Sequence, residues 1–176
     1  MKILSPSDLK ALIRDVPDFP KKGIIFKDIT PILSHPEALR FAADEMTSLL
    51  EEKHPDQIVG IESRGFIFSP ILAYQLKAGF VPVRKRGKLP AATIRTSYAL
   101  EYGESELEIH KDSIFEGMKV AVVDDLLATG GTARAAIELV EKLGGKVVAV
   151  AFLVELTFLK GREKLAGQNV LSLVQY

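Results

Sequence analysis

The chain has no cysteine, which excludes disulfides and thiolate-held metals. It has no surplus of either charge. Its 23 Lys and Arg face 23 Asp and Glu, so no global field draws it to nucleic acid or to a membrane surface. It has no long hydrophobic run either. The longest, Val147 to Val154, falls far short of the ~20 residues that span a bilayer, and the start, MKILSPSDLK, lacks the apolar stretch of a secretory signal. Two familiar nucleotide loops are missing as well. No GxGxxG occurs, and Gly130-Gly131-Thr132 continues into Ala133 instead of carrying the Lys and Ser/Thr of a triphosphate loop. What remains is 176 residues with 47% apolar content, enough for a single domain over residues 1–176 with an adequate core. A soluble cytoplasmic protein fits.

The most informative stretch that is present is VAVVDDLLATGGT, Val120 to Thr132. Val120 to Val123 reads as a buried parallel strand, and Asp124 and Asp125 fall where that strand should end. Ala128-Thr129-Gly130-Gly131-Thr132 then leads into a helix. Glycines let backbone amides crowd around an anion, threonines add hydroxyl donors, and the helix presents its positive end. The stretch reads as a monophosphate cradle beside a carboxylate pair. The pair narrows the ligand. A carboxylate about 6 Å from a phosphate charge is repelled by roughly 3 kcal/mol at an effective dielectric near 20. Sugar hydroxyls that donate to the acids, or a divalent cation on a diphosphate, offset that repulsion.

Around this motif the chain alternates strand and helix. Ser5-Pro6 starts a helix carrying Leu9, Leu12, Ile13 and Val16, ended by Pro17 and Pro20. Gly23 to Ile29 is a short strand or loop. A helix after Ser34-His35-Pro36 turns Leu39, Ala42, Ala43, Met46, Leu49 and Leu50 inward. Ile58–Ile61, Phe80–Val83 and Val147–Val154 are strands, while Phe66–Lys77 and Thr132–Leu143 are helices. This grammar predicts an α/β fold, a mostly parallel central sheet flanked by helices, with ligands beyond the carboxyl ends of the strands. Ala92 to His110 breaks the pattern and reads as a mobile antiparallel flap.

Two further clusters belong to the same predicted edge. Arg64, in Glu62-Ser63-Arg64-Gly65, offers a fork suited to a diphosphate. Arg84, Lys85, Arg86 and Lys88 emerge directly after an apolar strand. Their mutual repulsion predicts a loop that is loose when empty and ordered by an anion. Glu101-Tyr102-Gly103, at the flap tip, puts a carboxyl beside a tyrosine that can close over a reacting centre.

The thirteen-residue stretch resembles the signature of the type I phosphoribosyltransferases. PDFPKKGIIFKDITPIL from Pro17, GIESRGFIF from Gly60, VRKRGKLP from Val83, SYALEYG from Ser97 and VELTFLKGREKL from Val154 narrow the resemblance to the adenine-specific branch. It implies that family's fold, with a small N-terminal hood over about residues 1–35 and a flexible loop over about 84–110. It implies phosphoribosyl diphosphate (PRPP), adenine, AMP and diphosphate as ligands, Mg2+ held mainly by PRPP, and a homodimer, with no nucleic acid or membrane partner.

Residue by residue, the resemblance puts the 5′-phosphate on Ala128, Thr129, Gly130, Gly131 and Thr132, and the ribose hydroxyls and metal-bound water on Asp124 and Asp125. It puts the diphosphate on Ser63, Arg64, Arg84, Lys85 and Tyr102, with a non-proline cis peptide assigned to Ser63–Arg64. Ile25, Phe26, Lys27 and Leu126 take the adenine, Phe26 by stacking and Ile25 and Lys27 through their backbone, with Leu127 beside Leu126. Glu101 is the proton-transfer candidate. Hypoxanthine-guanine relatives carry an Asp where this chain has Ala128, which favours a 6-aminopurine. The expected reaction is transfer of phosphoribose from PRPP to adenine. Another base, such as xanthine, orotate or hypoxanthine/guanine, is the first alternative. A non-catalytic PRPP-sensing regulator is the second, and it would need a nucleic-acid-binding face.

Overall fold

Apolar strands joined through helices build a seven-stranded sheet in the computed structural model, which describes residues 5–99 and 104–176. Its strands are β3 (Gln57–Ile61), β4 (Gly79–Lys85), β5 (Thr93–Ala99), β6 (Glu104–His110), β7 (Lys119–Leu127), β8 (Lys146–Glu155) and β9 (Val170–Gln175). The order is β5-β6-β4-β3-β7-β8-β9. β4, β3, β7, β8 and β9 run parallel, whereas β6 pairs antiparallel with both β4 and β5. The flap expected over Ala92–His110 is therefore an antiparallel ladder extending the sheet, from Thr93↔His110 to Ala99↔Glu104.

Helices cover both faces, as parallel strands require. On one face α3 (Pro36–Glu51) and α4 (Gly65–Leu76) bury Met46, Leu50, Phe68 and Leu72 against Ala121, Val123 and Ala149. On the other, α5 (Gly131–Lys142) buries Ile137 and Val140 against Val59, Val81, Val120 and Val122. In α3, Ala42, Ala43, Met46 and Leu50 are buried as expected, Leu39 and Leu49 are only half-buried, and Ala38 joins the inward face.

Three local expectations change. Val16 does not continue the first helix. That helix, α1 (Pro6–Leu12), ends at Ile13, and Arg14–Pro17 becomes β1, antiparallel to β2 (Ile25–Asp28). A proline disfavours helical geometry in the residue before it, and Val16 is β-branched besides. A one-turn helix, α2 (Thr30–Ser34), precedes α3. Most importantly, β7 does not stop at Val123 but runs to Leu127, so Asp124 and Asp125 lie inside a strand. Register with β8 continues through Leu126↔Val154 and Leu127↔Glu155, which supplies the backbone partners that hold the acids in the sheet. Among the described residues, no helix is long and apolar enough to cross a membrane.

Candidate active site

β3, β7 and β8 all end at the same edge of the sheet, and the chemistry collects there. After β7, Ala128 to Gly130 turn into α5. Gly130 is the helix N-cap in the left-handed region, at φ +80°, with no side-chain cap over the first turn. The first amides of α5 are thus left for a ligand, and no acidic residue in that turn opposes an anion. The turn encloses a recess of about 80 Å³ lined by Asp124 and by residues 126–133. All five residues expected to bind phosphate, Ala128 to Thr132, line it.

The carboxylate pair is costly in this position. Asp125 is almost fully buried, and Asp124 Oδ1 accepts the Asp125 amide at 2.9 Å. Burial pushes both carboxyls above the usual range, Asp124 furthest because the Asp125 charge adds to its burial, whereas at Asp125 the Arg64 charge works against the rise. Arg64 partly offsets this. Its Nε lies 3.0 Å from Asp125 Oδ2, an ion pair in which the N–H is not aimed at the oxygen, so Asp125 Oδ2 has no hydrogen-bond partner among the described residues. No group of three or more His, Cys, Asp or Glu able to cage a metal occurs among the described residues. Asp125 Oδ2 is thus a buried acceptor open to a ligand's donor or cation.

Arg64 comes from the turn between β3 and α4. The non-proline cis peptide there is Glu62–Ser63, one bond earlier than the Ser63–Arg64 assignment. Ser63 is exposed beside it. Glu62 holds the start of the basic loop. Arg84 donates to both its carboxylate oxygens at 3.2 and 3.1 Å, and the Lys85 amide donates at 3.0 Å. Burial alone would raise the Glu62 carboxyl, but these donors outweigh it and hold it below the usual range. Glu108 accepts the amides of Lys88 and Leu89, and Glu106 pairs with Arg86. The repulsion expected within the loop is therefore eased at two of its cations, Arg84 and Arg86. Glu62 and Glu106 pair with Arg84 and Arg86, and Glu62 and Glu108 also hold the loop's backbone amides, a distant pairing that local sequence does not reveal.

A larger cavity, about 530 Å³, opens from the same turn and shares Ala128, Thr129, Gly131 and Thr132 with the recess. Ile25, Phe26 and Lys27 line it from β2 and Leu126 from β7, as expected of a base site. Leu127 is instead buried in the core on the α5 side. Phe26 already carries the Arg64 guanidinium over its ring at 4.9 Å and meets Phe19 edge-on at 5.1 Å. The Lys27 amine does not point at a base. It pairs with Asp15 at 2.6 Å and lies over the Tyr176 ring. Sequence reasoning missed Tyr98, Leu156 and Leu159, which also line the cavity. Their signal was present in SYALEYG and VELTFLKGREKL, segments in which these three residues carried only the resemblance. Glu101 and Tyr102 lie outside the described residues.

Comparison with known proteins agrees with this geometry. Residues 28–169 match the phosphoribosyl transferase domain family. The chain is 58% identical over 168 residues to an adenine phosphoribosyltransferase of Halothermothrix orenii, covering 96% of this chain and 99% of that one. A crystal structure of the enzyme of that name from Thermoanaerobacter pseudethanolicus superposes with TM-score 0.95 at 53% identity, covering 98% of this chain and all of that one. The enzyme from Giardia lamblia in complex with 9-deazaadenine gives TM-score 0.94 at 41% identity, with 99% of both chains covered. With the match spanning the phosphate turn, the acid pair and the base cavity, the chain belongs to the phosphoribosyltransferase family and, within it, to the adenine phosphoribosyltransferases.

Proposed function

We propose that this protein transfers the 5-phosphoribosyl group of PRPP to adenine, giving AMP and diphosphate, a purine-salvage reaction. The observation that carries the reading is the shared wall. One turn, Ala128 to Thr132, faces both a small polar recess and a large apolar cavity, which suits a molecule with a phosphate at one end and a flat base at the other. The Giardia relative's 9-deazaadenine complex supports adenine as that base.

The turn and the first amides of α5 hold the 5′-phosphate. Asp124 and Asp125 accept from the ribose hydroxyls. Arg64, Arg84 and Lys85 neutralise the departing diphosphate, and Ser63 and Tyr102 take part in binding it. Phe26 and Leu126 sandwich the purine, and the backbone of Ile25 and Lys27 reads its edge. Glu101 handles the proton at the purine as N9 attacks C1. Catalysis here is positioning plus electrostatic stabilisation of a cationic sugar and an anionic leaving group. Magnesium, when bound with PRPP, would supply further charge neutralisation beside Arg64, Arg84 and Lys85. The protein works in the cytoplasm and as a homodimer, the latter consistent with the exposed Tyr74 of α4 and Phe80 of β4. Residues 1–35 act as the hood and 84–110 as the closing loop.

Incubation with PRPP, magnesium and each purine base tests the assignment. AMP from adenine is the expected product, and faster turnover of guanine or xanthine would overturn it.

Proton linkage gives a second expectation. Burial lifts the acid pair, whereas ribose hydroxyls favour its charged form. PRPP binding therefore expels protons, and affinity rises with pH until the pair's elevated titration is passed. Calorimetry in buffers of different ionisation enthalpy measures the release. The Asp124→Asn, Asp125→Asn double variant should abolish the part that PRPP's own phosphates do not supply. An undiminished release would remove the pair from ribose binding.

A further inference from the structure

VELTFLKGREKL, Val154 to Leu165, is spread along a segment that the proposed chemistry uses only at Leu156 and Leu159. The rest of it runs beneath the Gly-rich turn. Two short 3-10 turns, Thr157–Leu159 and Gly161–Leu165, meet at Lys160, whose left-handed backbone at φ +52° swings Gly161 back toward β7. There two glycines touch. A Cβ on Gly161 would overlap the Ala128 carbonyl oxygen, and a Cβ on Gly130 would overlap the Gly161 carbonyl oxygen. The backbone of residue 161 is thus the floor of the turn.

That floor is held by one side-chain cluster. Glu155, at the end of β8 and almost fully buried, takes a two-pronged grip from Arg162, with Nε at 2.6 Å and Nη2 at 2.7 Å. Ser172 Oγ donates to the same carboxylate at 2.6 Å and Gln175 Nε2 at 3.3 Å. Arg162 Nη1 also donates to the Val170 carbonyl at 2.9 Å, tying the residue after Gly161 to β9. The backbone of Glu155 is in register with Leu127, the residue that enters the turn, and the Leu156 amide donates to the Leu127 carbonyl at 2.9 Å. One carboxylate therefore fixes both the entrance of the turn and the backbone on which it rests.

We infer that Glu155 and Arg162 are positioning residues for the phosphate turn, setting its grip on a phosphomonoester through the Gly161 floor without touching the ligand. The inference rests on the reading of Ala128 to Thr132 as the phosphate site. The guanidinium fork matters as well as its charge, because an ammonium cannot reach both oxygens of Glu155 and the Val170 carbonyl together.

The test is the preference for AMP over adenosine, two ligands that differ only in the phosphate, measured by calorimetry on the full chain. Arg162→Lys and Glu155→Gln should each lower that preference at least tenfold while adenosine affinity stays within twofold. Ser172→Ala, a milder change that leaves the fork intact, should lower it about threefold. The inference is overturned if the preference is unchanged in all three variants, or if AMP and adenosine weaken equally, as a general loss of folded protein would cause. A wild-type chain that binds AMP no better than adenosine would instead overturn the phosphate site itself.

Discussion

Replacing Asp124 and Asp125 together by Asn is expected to lower kcat/KM for PRPP about 1,000-fold while moving Tm by no more than a few degrees. The two effects separate because the acids are poorly placed for stability. Burial has raised both carboxyls. A group whose pKa is raised on folding binds more protons in the folded chain. Its contribution is most favourable at low pH and is lost as pH climbs from the ordinary carboxylate range through the raised values. At neutral pH the pair therefore works against the fold, and neutral amides relieve that. The opposing cost is the Arg64 partner. Stripping one member from a fully buried ion pair is costly, but Arg64 is 37% exposed and can turn to water. The catalytic cost has no such compensation, since removing a single preorganised polar group aimed at a transition state commonly costs 100-fold to 1,000-fold. Parallel measurement of steady-state rates and thermal unfolding checks the prediction. Equal proportional losses would make the pair structural.

Gly130→Ala should weaken AMP binding about 100-fold and lower Tm by about 5–10 °C. Two penalties act together. At φ +80° a side chain is strained by roughly 1–2 kcal/mol, and the new Cβ meets a backbone carbonyl that cannot rotate away. The turn must lift from its floor. Displacing a positioning element by about 1 Å costs on the order of 100-fold. In a domain of this size each kcal/mol moves Tm by about 2–4 °C. Titration with AMP and a melting curve read both numbers. An alanine variant with wild-type AMP affinity would show that the turn tolerates displacement and is not the phosphate anchor.

Much of this site was legible because its signals are local. Glycines, threonines and acids after an apolar run state their chemistry within thirteen residues. Phe26 and Leu126 follow from the family resemblance, and both line the cavity. What was not legible is long-range. Glu62 and Glu106 pair with Arg84 and Arg86, and Glu108 holds the loop's backbone, from 20 or more residues away, so the charge run looked unbalanced when read alone. β7 was cut short because two acids ordinarily mark the end of a buried strand. Only the ladder to β8 shows why they stay in it. β9 and the 3-10 segment lack strong periodicity, and their role depends on a backbone contact that no sequence pattern encodes.

The wall common to the recess and the cavity limits how selectivity can change. Any alteration to Ala128 or its neighbours, made to admit a different heterocycle, also disturbs the grip on the sugar's tail. In the two-stranded sheet above the cavity Phe26 has a double duty too, since it carries the Arg64 guanidinium, while the Lys27 side chain is folded away onto Tyr176 and Asp15. Redirecting the protein toward another nucleobase should therefore begin at Ile25, since a change at Phe26 also removes the ring beneath Arg64.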